Sequence, residues 1–424
     1  MKLKTVYFLF VILIPAGLIA QDVDWYVKGM NAQDPKERIE YFTKSIEIQG
    51  ASHQAYFYRG GAKYDLKDYK GAATDFFMAT QLNKKFQVAY INCGLAEAHL
   101  GQFDQALVDL TKAIKLDSNS EMAYANRGIV KMNLDDYPGA LSDFSKSIER
   151  DSSAELFNYR GEVKMEIKDY QGGLEDFTKA VGLDPKSAWH YLWLGRAKLQ
   201  LKNDTGAMAD FTKSIERDSA YAQAYYFRGL VKEKIPDYTG ALADYLKTIR
   251  IDSTAASGYN GCAVVRRKLS DYSGAIADHK KAVKLDPKDI YYLKSFALTY
   301  STMKDYPNAI TLFKKVLIMK PDDNRTFDNL AYCYMGQGNY ASSIENFNKC
   351  LTLNPDNIDA TLGLALISYY QNDLVSAKKY IARSIELKPY LKEGVRGLET
   401  LKKEGFFYTE ENEATLKKML TALK

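Results

Sequence analysis

Residues 154–187 read AELFNYRGEVKMEIKDYQGGLEDFTKAVGLDPKS, and the next residues, 188–221, read AWHYLWLGRAKLQLKNDTGAMADFTKSIERDSAY. Both segments have Gly as the eighth residue, a small residue as the twentieth and Phe as the twenty-fourth. They also share the tripeptide Asp-Phe-Thr and a Lys directly after it. The two segments are therefore neighbouring copies of one unit that repeats every 34 residues, the distance from residue 154 to residue 188.

The same spacing extends in both directions from this pair. Repeats aligned on it begin at residues 53, 87, 121, 154, 188, 222, 256, 290, 324 and 358. Position 8, counted from the first residue of each repeat, is always Gly or Ala, and position 20 is always Ala, Gly or Ser. Position 24 is mostly a large apolar residue. Positions 20, 24 and 27 fall on one face of a helix with 3.6 residues per turn, so each repeat is predicted to be two packed helices.

Short signals mark where these helices begin and end. An Asp at position 16 is followed by Tyr, as in Asp136-Tyr137, and suits the N-cap of the second helix. A proline closes five of the repeats, as at Pro185, where it would stop that helix. A Gly in mid-helix costs about 1 kcal/mol relative to Ala, so the Gly at position 8 implies close approach of a neighbour. We expect that neighbour to be the small residue at position 20.

The pattern resembles the tetratricopeptide repeat, a helix-turn-helix unit of 34 residues with small residues at positions 8 and 20 and an aromatic residue at position 24. The resemblance covers residues 53–389 as ten repeats, and residues 21–52 as a partial one in which Phe42 and Ser45 match positions 24 and 27. It implies an all-α fold, a right-handed superhelical solenoid of helix-turn-helix repeats. Residues 390–424 are predicted to be capping helices, with Leu416, Met419, Leu420 and Leu423 on one face.

Position 7 departs from the family, in which Leu is usual. It is Arg in four repeats, and each of these repeats carries an Asp sixteen residues further on. The pairs are Arg59 with Asp75, Arg127 with Asp143, Arg160 with Asp176, and Arg228 with Asp244. We interpret them as ion pairs within the repeat rather than as ligand contacts.

Residues 1–20 match a secretory signal peptide, with Lys2 and Lys4 before an apolar run that ends in small residues at Ala20. The run from Thr5 is broken by Pro15 and is short of the roughly 20 residues that span a bilayer. No Cys follows it, so a lipid anchor is not expected. The sequence predicts an exported protein, periplasmic or secreted, without an integral span in the mature chain.

The four cysteines are not predicted to form disulfides. Cys93 and Cys262 occupy the same position five repeats apart, too far for a bond in a stack of helices. Cys333 and Cys350 lie at different heights on the two helices of one repeat. All four are predicted to be small buried hydrophobic residues.

Composition and motifs exclude several functions. The chain has 58 Lys and Arg against 53 Asp and Glu, and two of the cations lie in the predicted signal peptide, so the excess is too small for a nucleic-acid partner. The four histidines lie in four different repeats, without a ligand partner at helical spacing. No catalytic motif or phosphate-binding loop is found in the sequence. We therefore predict no enzyme activity, no cofactor and no metal.

The resemblance places the partner-binding surface on the concave side of the superhelix, at positions 2, 5, 9, 12 and 13. The middle repeats carry aromatic, charged and amide side chains there, and Trp, Tyr and Arg often dominate binding energies. An alternative for the tryptophans is that they pack against neighbouring helices. The candidate binding residues are Glu155, Asn158, Glu162, Trp189, Arg196, Tyr226, Asn260 and Arg267.

These observations predict a non-enzymatic scaffold that binds a peptide or protein partner in the concave groove, outside the cytoplasm. The alternative function is an accessory subunit of an envelope enzyme or of a polysaccharide-export assembly, with glycan in the groove. Catalysis by the chain itself would require a His, Cys or carboxylate constellation in that groove.

Overall fold

The computed structural model describes residues 24–404 and 409–422. Within these residues the chain forms 24 α-helices and one 3-10 helix, and no strand. It divides into two compact units, Met1–Ser219 and Ala220–Lys424. Each unit is an all-α stack of helical repeats.

Unit 1 contains twelve helices that alternate between the first and second helix of a repeat. They are α1 Trp25–Asn31, α2 Pro35–Ile48, α3 His53–Asp65, α4 Tyr69–Leu82, α5 Gln87–His99, α6 Phe103–Leu116, α7 Glu121–Asn133, α8 Tyr137–Ile148, α9 Ala154–Glu166, α10 Tyr170–Leu183, α11 Ala188–Gln200 and α12 Asp204–Arg217.

Unit 2 continues the alternation and ends in additional helices. They are α13 Ala222–Lys234, α14 Tyr238–Ile251, α15 Ala256–Lys268, α16 Tyr272–Leu285, α17 Ile290–Thr302, α18 Tyr306–Met319, α19 Asn324–Gly336, α20 Tyr340–Leu353, α21 Ile358–Tyr370, α22 Leu374–Leu387, a 3-10 helix Pro389–Glu393, α23 Val395–Lys403 and α24 Glu410–Ala422.

The two helices of each repeat form an antiparallel hairpin, and within a unit the second helix packs on the first helix of the next repeat. First helices also touch each other, α7 with α9 and α9 with α11 in unit 1, and α13 with α15 and α15 with α17 in unit 2. Among the described residues, the second helices show no comparable contact with one another. The first helices therefore line the inner, concave side of each stack.

The predicted helix signals are confirmed. Asp136 caps α8 by accepting a hydrogen bond from the backbone N–H of Gly139 at 3.0 Å, and Asp169 caps α10 in the same way through Gly172 at 2.9 Å. Helix α10 ends at Leu183, two residues before Pro185. An Asp side chain that accepts an N-terminal N–H satisfies a donor that the helix leaves open.

The core of each repeat is built around position 24. All ten side chains at this position are buried: Phe76, Leu110, Phe144, Phe177, Phe211, Tyr245, His279, Phe313, Phe347 and Ile381. Some of them also reach the first helix of the next repeat in the same unit, because a Cβ on Gly261 of α15 would lie 2.9 Å from the ring of Tyr245 and one on Gly363 of α21 would meet the ring of Phe347. Burial of one such side chain contributes about 1.5–3 kcal/mol.

The expected neighbour of the Gly at position 8 needs a correction. A Cβ on Gly128 would lie 2.9 Å from Phe144 Cε1, and one on Gly161 would lie 2.6 Å from Phe177 Cε1. The small residue at position 20 approaches the backbone instead, because a Cβ on Gly173 would lie 3.3 Å from the carbonyl oxygen of Gly161. In these repeats the side chain at position 24 is therefore the nearest neighbour of the Gly, and the residue at position 20 contacts the backbone beside it.

The predicted ion pairs are confirmed. Arg127 donates from Nε and from Nη2 to the two carboxylate oxygens of Asp143, both at 2.8 Å. Lys131 Nζ lies 2.8 Å from the same carboxylate. The Asp75, Asp176 and Asp244 carboxylates are held in the same way by their arginines. These bidentate pairs link the two helices of a hairpin across their interface.

The ends of the described chain are closed by helices. At the N-terminus, α1 and α2 form a short hairpin in which Phe42 is buried. At the C-terminus, Leu416, Met419 and Leu420 of α24 are buried in one cluster with residues of α21 and α23. Leu423 and the predicted signal peptide lie outside the described residues.

Two further properties concern the whole of the described chain. None of its helices combines the length and the apolar character needed to cross a membrane. The four cysteines are buried thiols, as predicted. Cys93 nevertheless contacts a carboxylate and is not in a purely apolar environment, since its Sγ lies 3.8 Å from Glu97 Oε1.

Candidate functional site

In unit 1 the predicted binding residues Asn158 and Glu162 form a buried network on α9. Asn158 Nδ2 donates to Glu162 Oε1 at 3.0 Å, and Asn158 Oδ1 lies 3.1 Å from His190 Nδ1 of α11. Asn158 is fully buried and Glu162 is 2% exposed. Burial also lowers the pKa of His190, which favours the neutral imidazole. These side chains link α9 to α11 through buried hydrogen bonds, and they expose little surface to a partner.

Trp189 and Arg196 lie on the next first helix, and each contacts an aromatic neighbour. The Trp189 ring is half-buried and meets Tyr159 edge to face, with ring centroids 5.2 Å apart. Arg196 Cζ lies 3.8 Å from the centroid of Trp193, and Trp193 itself stacks on Phe177. Trp193 therefore packs against a neighbouring helix, which was the alternative to a binding role. Trp189 is partly available, and Glu155 on α9 is exposed.

In unit 2, Asn260 and Arg267 lie on the inner face of α15, seven residues apart. Asn260 is 4% exposed and Arg267 is half-buried. Asn260 Oδ1 and Arg267 Nε have no hydrogen-bond partner in the described part of the chain. Burial lowers the pKa of Arg267, while Glu233 and Tyr291 favour its charged form. One polar acceptor and one charged donor on this helix are thus shielded from solvent without a hydrogen-bond partner among the described residues.

Tyr226 and Glu233 of α13 lie on the neighbouring first helix. The Tyr226 ring packs on Tyr245, with centroids 5.8 Å apart, and Tyr245 donates its hydroxyl proton to Glu233 Oε2 at 3.1 Å. Burial and the neighbouring Tyr291 and Tyr292 raise the pKa of Tyr226 to about 12. Burial also raises the pKa of Glu233. The hydrogen bond from Tyr245 and the positive charges of Lys268 and Arg267 on α15 act in the opposite direction and lower it. Tyr226 and Glu233 thus place an aromatic ring and a carboxyl group on the helix next to Arg267.

Tyr291 at the start of α17 completes this inner surface and was not among the predicted residues. It is 61% exposed, and its hydroxyl interacts electrostatically with Glu233 and Arg267. The signal in the sequence was its place at position 2, the position that also holds Trp189 and Glu155. The structure thus gathers Tyr226, Asn260 and Arg267 of the prediction in unit 2. It places Glu155, Asn158, Glu162, Trp189 and Arg196 in unit 1.

Two family models match the chain. Both are described as tetratricopeptide repeat, one over residues 329–357 and one over residues 88–120. Each matched segment covers most of one helix pair, with its small residues at positions 8 and 20 and a large buried residue at position 24. The chain thus contains tetratricopeptide repeats.

Solved structures with this repeat architecture resemble the chain at low sequence identity. A tetratricopeptide repeat protein from Parabacteroides merdae is 19% identical, with 59% of this chain and 99% of that chain covered and a TM-score of 0.50. Yeast Tom70 is 16% identical, with 89% and 94% covered and a TM-score of 0.42. Pseudomonas aeruginosa pilF is 23% identical, with 49% and 94% covered and a TM-score of 0.44. A search of the curated proteins finds no match.

The tetratricopeptide repeat assignment bears on function in general terms. Such repeats form scaffolds for contacts with other proteins, and the described part of the chain is built of consecutive helix pairs of this kind. Fold alone does not define a partner, so the specific function has to be argued from the side chains of the inner faces.

Proposed function

We propose that this tetratricopeptide repeat protein is a non-enzymatic scaffold that binds an extended segment of a partner protein on the inner face of unit 2. The segment would lie across α13, α15 and α17. The inner face of unit 1, with Glu155 and Trp189, would add contacts to the same class of partner. The scaffold would act outside the cytoplasm, a location that rests on the sequence pattern of residues 1–20.

The observation that carries the proposal is the pair of buried polar atoms on α15 that lack a hydrogen-bond partner among the described residues. A buried polar atom without a hydrogen bond costs about 1–3 kcal/mol, so such atoms are uncommon unless a ligand completes them. Asn260 Oδ1 would accept from a backbone N–H, and Arg267 Nε would donate to a carbonyl or carboxylate oxygen. Both lack a partner within the described residues.

The spacing of these two atoms suits an extended peptide. Seven residues along a helix separate them by about 10 Å. An extended chain covers that distance with about three residues at 3.3 Å each. A peptide with a backbone N–H near Asn260 and an acidic side chain near Arg267 would satisfy both groups, while the exposed ring of Tyr291 covers its apolar part.

An accessory role with glycan in the groove remains the second proposal. The ring of Tyr291 is 61% exposed on the inner face, and an exposed aromatic face can stack on a sugar ring. This role would require neither the open amide oxygen of Asn260 nor the charge of Arg267, so the two proposals differ in the residues on which they depend.

The proposal can be tested by affinity capture from the envelope fraction of the source cells. Three baits are compared: the wild-type chain, the double variant that combines Arg267→Ala with Tyr291→Ala, and a control. The control, Arg250→Ala, removes an exposed cation from the second helix α14. We expect one set of proteins to be retained by the wild type and the control, and at least about tenfold less by the double variant. Equal retention by all three baits would refute the assigned surface. Retention of glycan alone, unaffected by Arg267→Ala, would favour the second proposal.

A further inference from the structure

A recurring polar group joins the two helices of most repeats. An Asp at position 23 of the second helix faces a cation at position 11 of the first helix, at N–O distances of 2.6–2.8 Å. The pairs are Lys63–Asp75, Lys131–Asp143, Lys164–Asp176, Lys198–Asp210, Lys232–Asp244 and Arg266–Asp278. In four of these repeats an Arg at position 7 adds a second cation. The buried carboxylate is thus neutralised locally.

The repeat that begins at residue 87 keeps the Asp and replaces both cations. Position 11 is Glu97 and position 7 is Cys93, so Asp109 of α6 faces a thiol and a second carboxyl group of α5. Cys93 is fully buried, and Glu97 and Asp109 are each 7% exposed. One ligand atom from each of the three side chains lies within 4.8 Å of the other two.

Two oxygen atoms of this cluster are left open. Glu97 Oε2 and Asp109 Oδ2 have no hydrogen-bond partner among the described residues. Cys93 Sγ makes long contacts with Glu97 Oε1 at 3.8 Å and with the carbonyl oxygen of Ala73 at 3.7 Å. Two buried carboxyl groups without a cation require either a proton or a metal ion to offset their charge.

We infer that Cys93, Glu97 and Asp109 form a binding site for a divalent transition-metal ion, with Zn²⁺ preferred over Mg²⁺ and Ca²⁺. A thiolate ligand selects Zn²⁺ over the hard cations, which take oxygen ligands. Cys93 and Glu97 are four residues apart and lie on one face of α5, while Asp109 approaches from α6. Three protein ligands leave a fourth tetrahedral position for water or for a group from another molecule.

The dimensions of the cluster fit such an ion. Zinc bonds of about 2.3 Å to sulfur and about 2.0–2.2 Å to oxygen place tetrahedral ligand atoms roughly 3.3–3.7 Å apart. The present separations, up to 4.8 Å, would therefore contract by about 1 Å. Binding would release the protons of the thiol and of any protonated carboxyl group. The ion would supply the positive charge that Lys or Arg supplies in the other repeats.

The alternative occupant is a proton. Burial and the neighbouring Asp109 raise the pKa of Glu97 to about 8 in the metal-free chain, with an opposing effect from the thiol contact of Cys93. Burial likewise raises the pKa of Asp109. A cluster that serves packing alone would hold these protons and would not respond to zinc, which makes the two states distinguishable by experiment.

The test uses the whole chain after treatment with a chelator, with Co²⁺ as a spectroscopic substitute for Zn²⁺. We expect Co²⁺ to produce a thiolate-to-metal absorption band at one equivalent, and Zn²⁺ at 100 times its Kd to raise Tm by about 5 °C or more. Cys93→Ala and Glu97→Lys should abolish both effects. Cys262→Ala, which removes the buried thiol at the same position of another repeat, should leave them unchanged.

Glu97→Lys keeps the test valid even if Cys93→Ala is poorly folded. It recreates the Lys and Asp pair of the neighbouring repeats, so we expect a folded chain that is insensitive to zinc. Absence of the absorption band and of any zinc effect on the wild type would overturn the inference in favour of protonated acids. A band that persists in both Cys93→Ala and Glu97→Lys would overturn it as well, because the metal would then lie elsewhere.

Discussion

At the scale of single residues, most repeats hold a buried aspartate at position 23 by pairing it with one or two cations. Asp143 is 1% exposed and receives hydrogen bonds from Arg127 and an ion pair from Lys131. Two charges removed from water are stable only with close partners, and the loss of one partner leaves the other uncompensated. Such a residue is therefore more sensitive to substitution than its surface counterparts.

Asp143→Asn should lower the free energy of unfolding by about 3–5 kcal/mol, because Arg127 and Lys131 would face each other without an anion. The measurement is urea unfolding followed by circular dichroism. The matched control is the triple variant Arg127→Leu, Lys131→Tyr, Asp143→Asn, which copies Leu330, Tyr334 and Asn346 of another repeat. It should cost less than the single change, since an uncharged replacement of a buried ion pair is often neutral. A single variant as stable as the wild type would contradict this account.

A second residue, His279, makes stability depend on pH. It occupies position 24 fully buried, with Nε2 lying 2.9 Å from Thr299 Oγ1 and its ring stacked on Phe296. Burial and the charge of Arg267 lower its pKa from 6.5 to about 3. Between these values the unfolded chain binds the proton and the folded chain does not, so stability falls as the pH drops from 6.5 towards 3.

His279→Phe should reduce this acid sensitivity, because Phe stands at position 24 in several repeats and does not titrate. At pH 5 the histidine accounts for about 2 kcal/mol of lost stability, at 1.36 kcal/mol per pH unit below 6.5. Tm measured at pH 7 and pH 5 should therefore fall less in His279→Phe than in the wild type. An equal fall in both chains would show that His279 is not protonated on unfolding.

At the scale of helices, the spacing between the two helices of a hairpin depends on glycine. Six repeats combine Gly at position 8 with Asp at position 23, and the repeats that begin at 290, 324 and 358 lack this Asp and have Ala at position 8. The repeat that begins at 256 has the ion-paired Asp278 with Ala263. In the repeats with this Gly, the side chain at position 24 lies directly against it, as Phe144 does at Gly128 and Leu110 at Gly94. The glycine and the polar link occur together in most repeats, and the contact with the side chain at position 24 is the local reason for the glycine.

Gly128→Ala should destabilise the chain by about 1–3 kcal/mol, although Ala is the better helix former by about 1 kcal/mol, since the new Cβ would lie 2.9 Å from Phe144. Gly182→Ala is the control, because it adds a Cβ to a helical glycine with nothing within 4 Å. That change should stabilise by up to about 1 kcal/mol. Equal effects of the two substitutions on Tm would refute the close contact.

The helices and their ends could be predicted from the sequence because their signals are local. Asp136 caps the N-terminus of α8, and Pro185 follows the C-terminus of α10. Both effects act over a few residues and depend little on the rest of the chain. The neighbour of Gly128 could not be predicted in the same way, because it depends on how far the ring of Phe144 reaches across the hairpin. Pattern alone also could not show that Asn158 points inwards to His190, which comes from the next repeat.

Less of the candidate site than of the fold could be derived from the sequence. Their positions within the repeat predicted that Tyr226, Asn260 and Arg267 lie on the inner face. The structure adds Tyr291 to this surface, and it shows that Asn260 Oδ1 has no hydrogen-bond partner among the described residues. Burial is the property that the sequence does not carry, since inner-face positions hold both structural and exposed side chains. The repeats show from sequence alone that Glu97 stands where most others have Lys. Only the structure shows that Glu97 is buried next to Asp109, so that two acidic groups share one site.

At the scale of the whole molecule, a chain of ten full repeats offers two long inner faces, one in each compact unit. In solenoids each repeat contacts only its neighbours, so one face can be altered with little effect on distant repeats. Inner-face variants should therefore lose partner binding without loss of helical structure, which separates a binding role from a structural one.

The most direct test of the scaffold function is site-specific photo-crosslinking in the source cells. A photoreactive phenylalanine analogue replaces Tyr291 on the inner face, or Leu246, which is 40% exposed on the second helix α14, as the control. The account predicts a crosslinked protein partner from position 291 that is lost with Arg267→Ala and absent from position 246. Crosslinks of equal yield from both positions, or none from position 291, would contradict the claim that the inner face of unit 2 binds a protein segment.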